Sequence, residues 1–351
     1  MEQGRIIPDE DLVPYLPRDG DRTLSSRMRA LYEQQRRTWP QLRRAHGALK
    51  RAETRRIELG GCTVLCQHTP HRLANVSASM DPASIRMRPC FLCNENLYPE
   101  QKALRYGRNY LILCNIAPIF EFHLVIIHRR HLPQQIQDHF HTALSLARDC
   151  SPDFAVIYNG PSCGASIPDH FHLQAFPANN LPLEEQLWTS PAPRSRRALI
   201  DERGILISAP QGFYRPLLTF ETRDPLLLSS WFREILDDLA ELGGATGEPM
   251  INLVMAYREG RWQMTLFPRE KHRPEAYYAR GQDRLLISPG AIDMAGVFVI
   301  PRRKDYLRAD ASILKGIYRE VTLSESRFSG LIDEIGGKKR RKGYLSQNRD
   351  L

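Results

Sequence analysis

The sequence predicts an α+β fold built on a duplicated antiparallel sheet with flanking helices. Three observations carry that prediction. Two stretches, about residues 109–176 and 204–267, read in the same order of strand, strand, helix, strand, strand. Both stretches close on the same dipeptide, Phe176-Pro177 and Phe267-Pro268. A proline-rich linker, Ser190 to Pro193, lies between them.

The elements follow in chain order. Residues 1–52 are polar, rich in Arg and Gln and helical in character, with Pro40 as an interruption. They read as an extension packed on the body. Two or three short strands are expected over residues 55–78, at Arg56–Leu59 and Thr63–Cys66 among them. Pro89-Cys90-Phe91-Leu92-Cys93 then forms a tight knuckle. Strands are expected from Asn109 to Cys114 and from His123 to Ile127. A helix is expected from Gln134 to Cys150, because Ile136, Phe140, Ala143, Leu144, Leu146 and Ala147 recur near the helical period and Pro133 precedes it. Strands at 153–158 and 170–176 complete the first unit. The second unit has strands at 204–208 and 214–220, a helix opened by Asp224-Pro225, and strands at 250–257 and 261–267. The domain reading is 1–52 extension, 53–190 first half, 191–335 second half and 336–351 basic tail.

Composition narrows the function. The chain has 351 residues, 42% hydrophobic and 25% charged, as in a globular protein with a substantial core. No apolar run reaches membrane-spanning length, and Met1 to Glu10 lack the apolar core of a secretory signal. The expected location is cytoplasmic, with no membrane partner. The net charge of +9 suits an anionic small-molecule substrate. Part of it sits in Lys338-Lys339-Arg340-Arg341-Lys342, which reads as a solvated end. No aromatic residues interleave with that run, which argues against nucleic-acid binding. Seven cysteines, an odd number in a chain of this size, point away from a disulfide framework and toward a metal site.

Two groups of residues carry chemistry. Cys90-x-x-Cys93 is a zinc half-site, since two thiolates three apart on a turn share one tetrahedral ion. Two more ligands are needed, and the candidates are His123, His128, His131 and His170. Cys62, Cys66, His68 and His71 form a second, weaker grouping. The other group is His170-Phe171-His172-Leu173-Gln174. On a strand, His170, His172 and Gln174 point to one face. The loop before them, Asn159 to Asp169, is rich in Gly, Ser and Asn and offers backbone N–H groups to phosphate oxygens. Imidazole supplies a nucleophile near neutral pH. Superposing the two Phe-Pro endings sets Arg261, Gln263 and Thr265 opposite His170, His172 and Gln174, so only the first copy carries the histidines.

Together, Cys90 to Cys93, the strand leading to His131, and Asn159 to Gln174 resemble the histidine-triad superfamily. They are similar to its transferase branch, which contains galactose-1-phosphate uridylyltransferase, diadenosine tetraphosphate phosphorylase and the GDP-hexose phosphorylases. The hydrolase branch ends its motif in a third histidine, where this chain has Gln174. The resemblance covers about residues 55–180, and more loosely the second half through Asn252 to Met255 and Met264 to Arg269. It implies that His172 is the nucleophile and that Gln174 and Ser166 bind the transferred phosphate, with Asn159 nearby and Gly164 in the same loop. It implies structural Zn2+ held by Cys90, Cys93, His131 and His170. It places Asn115 at the ribose, and Arg72, Arg86 and Arg88 near the phosphates. The uridylyltransferase has proline between its two histidines, and this chain has Phe171. The implied reaction moves a nucleoside monophosphate from a nucleotide sugar or a dinucleoside polyphosphate to phosphate or a sugar phosphate. A homodimer is in keeping with the family. A nucleotide hydrolase and a non-catalytic zinc-containing nucleotide or nucleic-acid binder are the alternatives.

Overall fold

A computed structural model describes residues 4–17, 20–190, 195–244 and 247–347. The described residues hold thirteen strands: β1 Glu53–Glu58, β2 Thr63–His68, β3 Ala103–Tyr106, β4 Tyr110–Cys114, β5 Leu124–His128, β6 Phe154–Asn159, β7 His172–Pro177, β8 Arg196–Glu202, β9 Ile205–Pro210, β10 Leu218–Thr222, β11 Ile251–Arg258, β12 Arg261–Pro268 and β13 Val297–Ile300. Ten of them form one antiparallel sheet in the order β3-β4-β5-β7-β6-β11-β12-β10-β9-β8. Read inward from either edge, the two sets of five strands have the same order, and they meet at the β6–β11 pair. Asn159 lies opposite Asn252 in that pair, and Val156 opposite Met255. The duplication expected from the sequence is therefore a property of the sheet.

Strand periodicity sorts the core into two faces. On β6, Phe154, Val156 and Tyr158 belong to one apolar cluster, and Ala155 and Ile157 to another. The first cluster lies under the helices α1 (Leu24–Thr38), α2 (Pro40–Lys50), α3 (Phe140–Asp149), α4 (Pro225–Gly243) and α5 (Glu325–Gln347). α4 shows why such a helix forms. The Asp224 carboxylate accepts from the N–H groups of Leu226 and Leu227, Pro225 occupies the first turn, and Gly244 ends the helix in the left-handed region. Leu228, Trp231, Phe232, Ile235, Leu236 and Leu239 recur at helical spacing and are buried, each contributing about 1.5–3 kcal/mol. Phe232 stacks on Phe140 of α3 with ring centroids 4.0 Å apart. Pro40 opens α2 rather than merely breaking a helix, and Met28, Leu31, Tyr32, Trp39 and Leu42 are fully buried, so the extension belongs to the core.

The other face of the large sheet packs on a small sheet, β1-β2-β13. The strands expected over residues 55–78 are only two. The third partner is β13, which runs parallel to β2 from more than 200 residues downstream. On β7, Leu173 and Ala175 join the helical cluster while Phe176 joins the opposite one. His172 and Gln174 share the parity of Phe176, so their side chains lie on the face away from α1–α5.

Three expectations need correction. The helix expected from Gln134 begins with a 3-10 turn at Gln137–His139 and becomes α3 at Phe140, because Gln134 and Ile136 are tied into other contacts described below. Edge strands β3 and β8 were not expected. β3 has only four residues, and β8 (Arg196–Glu202) carries charges on an exposed edge without alternating apolar positions. The basic run does not sit in a separate tail, since α5 extends through it to Gln347 with Leu331, Ile332 and Ile335 buried and Lys338 paired with Asp238 of α4. The linker residues 191–193 and the last residues, 348–351, lie outside the described residues.

Candidate active site

Cys90, Cys93, His131 and His170 converge, with their donor atoms within 4.8 Å of one another. Cys90 Sγ lies 3.3 Å from His170 Nδ1, and Cys93 Sγ lies 3.2 Å from His131 Nδ1 and 3.6 Å from His170 Nδ1. A zinc tetrahedron with Zn–S of 2.3 Å and Zn–N near 2.0 Å has S···N edges of roughly 3.5 Å. The donor set therefore fits a divalent ion. His170 Nε2 donates to the carbonyl of His128 at 2.6 Å, which leaves Nδ1 as the lone pair facing the sulfurs. Asp169 lies 3.8 Å from His131 Nε2 and accepts from Arg88 at 2.6 Å.

The other candidates have different partners. His123 is bound to Ile119 and Gln174, and His128 Nδ1 accepts from the N–H of Arg130. Cys62 and Cys66 are buried in the apolar cluster between the sheets, where burial pushes the Cys66 thiol up to about 12. His71 Nε2 bonds the Pro118 carbonyl.

His172 opens β7 and is 6% exposed. Its Nδ1 donates to the His170 carbonyl at 2.9 Å, so the lone pair is on Nε2. Burial lowers its pKa to about 4, and the ring is neutral at pH 7. Its backbone is held by Gln134, a fully buried side chain. Gln134 Oε1 accepts the His172 N–H at 2.7 Å, and Nε2 donates to the carbonyls of His172 at 2.9 Å and Asn159 at 3.0 Å. Next to it, the N–H of Ile136 donates to Glu248 at 2.6 Å. These bonds are why residues 134–136 are not helical.

An open cavity gathers Arg72, Asn159, Gly164, Ser166 and Gln174. His172, two residues before Gln174 on the same face of β7, is not in its wall. Asn115, Arg86 and Arg88 also lie elsewhere: Asn115 accepts from the Ala117 N–H, Arg86 is exposed, and Arg88 pairs with Asp169 beside the Cys/His cluster. Arg72 donates to the Ala117 carbonyl, and burial lowers its pKa to about 10. Its Nε is buried without a protein partner, a donor available to an anion.

The second half completes the wall with His272, Arg273, Ser288, Gly290 and Asp293. Sequence reasoning missed all of these, and no motif marks them. It also missed Gln134, hidden in a segment that reads as helix. Gly164 has φ +104°, and a Cβ there would lie 2.6 Å from Gly290 Cα and 2.8 Å from Asn159 Oδ1. Only glycine fits this approach of the two halves. Asn159 Oδ1 accepts from Asn252 Nδ2 at 3.0 Å and from the Ala291 N–H at 2.7 Å, and Asn252 in turn accepts from the buried Arg269.

Two family models match the chain. One, "Domain of unknown function (DUF4922)", covers residues 31–177, and the other, "GDPGP1-like, C-terminal domain", covers residues 233–339. No curated protein matches. Among solved structures, yeast Ap4A phosphorylase Apa2 is similar at 12% identity, over 81% of this chain and 98% of that one, with a TM-score of 0.55. The same enzyme in complex with Ap4A is similar at 14% identity over 84% and 97%, with a TM-score of 0.55. In complex with AMP the figures are 15%, 84% and 97%, with a TM-score of 0.52. The chain shares the fold of yeast Ap4A phosphorylase Apa2. In this fold β7 carries His172 and Gln174, the loop from Asn159 to Asp169 precedes it, and residues 272–299, downstream of β12, supply part of the cavity wall. No helix among the described residues is long and apolar enough to cross a membrane.

Proposed function

We propose that the chain is a nucleotidyltransferase of the phosphorylase or hexose-1-phosphate type, working through a covalent nucleotidyl-histidine. The donor is a nucleotide sugar or a dinucleoside polyphosphate, and the acceptor is phosphate or a sugar phosphate. One observation carries the reading: His172 Nδ1–H donates a hydrogen bond to the His170 carbonyl, which leaves Nε2 as a free base on the face that Gln174 shares. Nε2 attacks the α-phosphorus. A P–N bond forms, the P–O bond to the leaving phosphate breaks, and that oxygen keeps the electron pair. The acceptor oxygen then attacks the same phosphorus, breaks the P–N bond and restores the free imidazole.

Gln174, Ser166 and the loop N–H groups bind the transferred phosphate, and each such donor contributes on the order of 2–4 kcal/mol to charge stabilisation. Arg72 supplies positive charge in the same cavity. Cys90, Cys93, His131 and His170 would hold zinc. Four protein ligands leave no open position, so the ion would anchor the start of β7 rather than touch substrate. In this reading residues 53–190 are the catalytic half. Residues 191–335 are a second half without the histidines, flanked by the 1–52 extension and the basic end.

Intact-protein mass spectrometry tests the proposal. The protein is incubated briefly with UDP-glucose, GDP-mannose, GDP-glucose, ADP-glucose and diadenosine tetraphosphate in turn. A mass gain of one nucleoside monophosphate with one donor, absent in His172→Ala, is the expected result. An adduct retained by folded His172→Ala sinks the assignment of the nucleophile.

A further inference from the structure

We infer that His123 is a positioning residue that fixes which way round the Gln174 carboxamide sits, so that its NH2 end is presented to the cavity. The inference deepens the proposed reaction and rests on it only for its kinetic test. The backbone N–H of Ile119 donates to His123 Nδ1 at 3.1 Å. A ring nitrogen that accepts carries no proton, so in a neutral imidazole the proton is on Nε2. That Nε2 lies 2.8 Å from Gln174 Oε1. A reversed carboxamide would set two donors face to face.

The two ends of a carboxamide are nearly the same size, so only the partner selects the orientation. His123 is a strict selector because it cannot move or change state without loss. It is 0% exposed and stands edge-on to Phe176, with centroids 6.2 Å apart at 86°. A proton on Nδ1 would face the Ile119 N–H. Asn115 Nδ2 lies 3.4 Å from the same Nε2, and because the Ala117 N–H holds Asn115 Oδ1, Asn115 offers that nitrogen no acceptor to compete with Gln174 at 2.8 Å. Gln174 lines the cavity, so its NH2 group is the end left for a ligand. Phosphate oxygens are acceptors only, and a carbonyl turned toward them would repel them. His123 reaches no substrate itself and acts through Gln174.

The test is the single-turnover rate of nucleotidyl adduct formation. His123→Phe keeps the ring packing and removes both polar contacts. The expected rate falls roughly ten- to hundred-fold, with little change in the donor concentration at half-saturation. His123→Gln, which accepts and donates through one side chain, recovers most of it. In a Gln174→Ala background, His123→Phe costs nothing further. A wild-type rate in His123→Phe, or a full additional loss in the Gln174→Ala background, overturns the inference. If wild-type protein forms no adduct with any donor, the reaction fails, and the orientation is read instead from 15N imidazole NMR. That spectrum also decides the matter if His123→Phe does not fold. The signal that disappears in His123→Gln should show Nε2–H and a bare Nδ1. An Nδ1–H or doubly protonated ring at neutral pH overturns it.

Discussion

Gln134 clasps the peptide of His172 from both sides, accepting its N–H at 2.7 Å and donating to its carbonyl at 2.9 Å. The same NH2 group reaches the carbonyl of Asn159, so one side chain ties the start of β7 to the end of β6 and the loop that follows. Gln134→Ala leaves three buried backbone groups without partners. The expected destabilisation is about 2–4 kcal/mol, read as a lower denaturant midpoint at unchanged slope. Adduct formation should fall with it, because the ring of His172 loses its backbone anchor. An unchanged midpoint would mean that water replaces the clasp.

Metal content separates the Cys/His cluster from the cavity. Purified protein should hold about one zinc per chain. Cys90→Ser should lower that content and drop the melting temperature by about 5 °C or more. Arg72→Met should leave the zinc in place while weakening donor binding. Elemental analysis of both variants checks this, and full occupancy in Cys90→Ser would remove Cys90 from the ligand set.

Acid stability reports on His123. Burial, helped by the nearby Arg72 charge, lowers its folded pKa to about 3 from 6.5. Between those values the unfolded chain binds the proton and the folded protein does not. Stability from this residue is therefore complete above pH 6.5 and declines as pH falls below it. From pH 7.5 to 4.5, wild-type protein should lose about 3 kcal/mol relative to His123→Gln. Parallel stability curves for the two proteins would place the proton elsewhere.

Gly164→Ala tests the contact between the halves. The added methyl group meets backbone at Gly290, which has no side chain to yield, and the positive φ adds strain. A destabilisation of about 2–4 kcal/mol is expected by urea unfolding. Gly204→Ala makes the comparison, since Gly204 also has positive φ but open space around its Cβ position, and it should cost less.

The legible parts of this protein are those with short repeats in sequence. His172 and Gln174 share a face because strand side chains alternate, and the knuckle at Cys90 and Cys93 is visible from spacing alone. Both can be read without knowing what lies across the sheet. His131 and His170 could be chosen from four histidines only through a family resemblance, because their approach depends on how β5 and β7 end. The phase of His123 with Val125 and Ile127 was a usable signal, since it placed His123 on the face of Gln174. Gln134 gave no signal, because its apolar neighbours mimic a helical stripe while its own bonds hold the chain open. β13 and the wall formed by His272, Arg273 and Asp293 come from far downstream, and local pattern carries no information about such pairings.

The cavity wall is drawn from two distant stretches of the chain, and this bears on how the chain can change over time. The groups proposed to make and break bonds lie between Asn159 and Gln174, on β6, β7 and the loop that joins them. Much of the cavity wall comes from His272 to Val299, downstream of β12. Reactivity and selectivity are thereby inherited through separate stretches of sequence. In the proposed reaction, the second stretch is free to drift toward a new donor while the first keeps His172 intact.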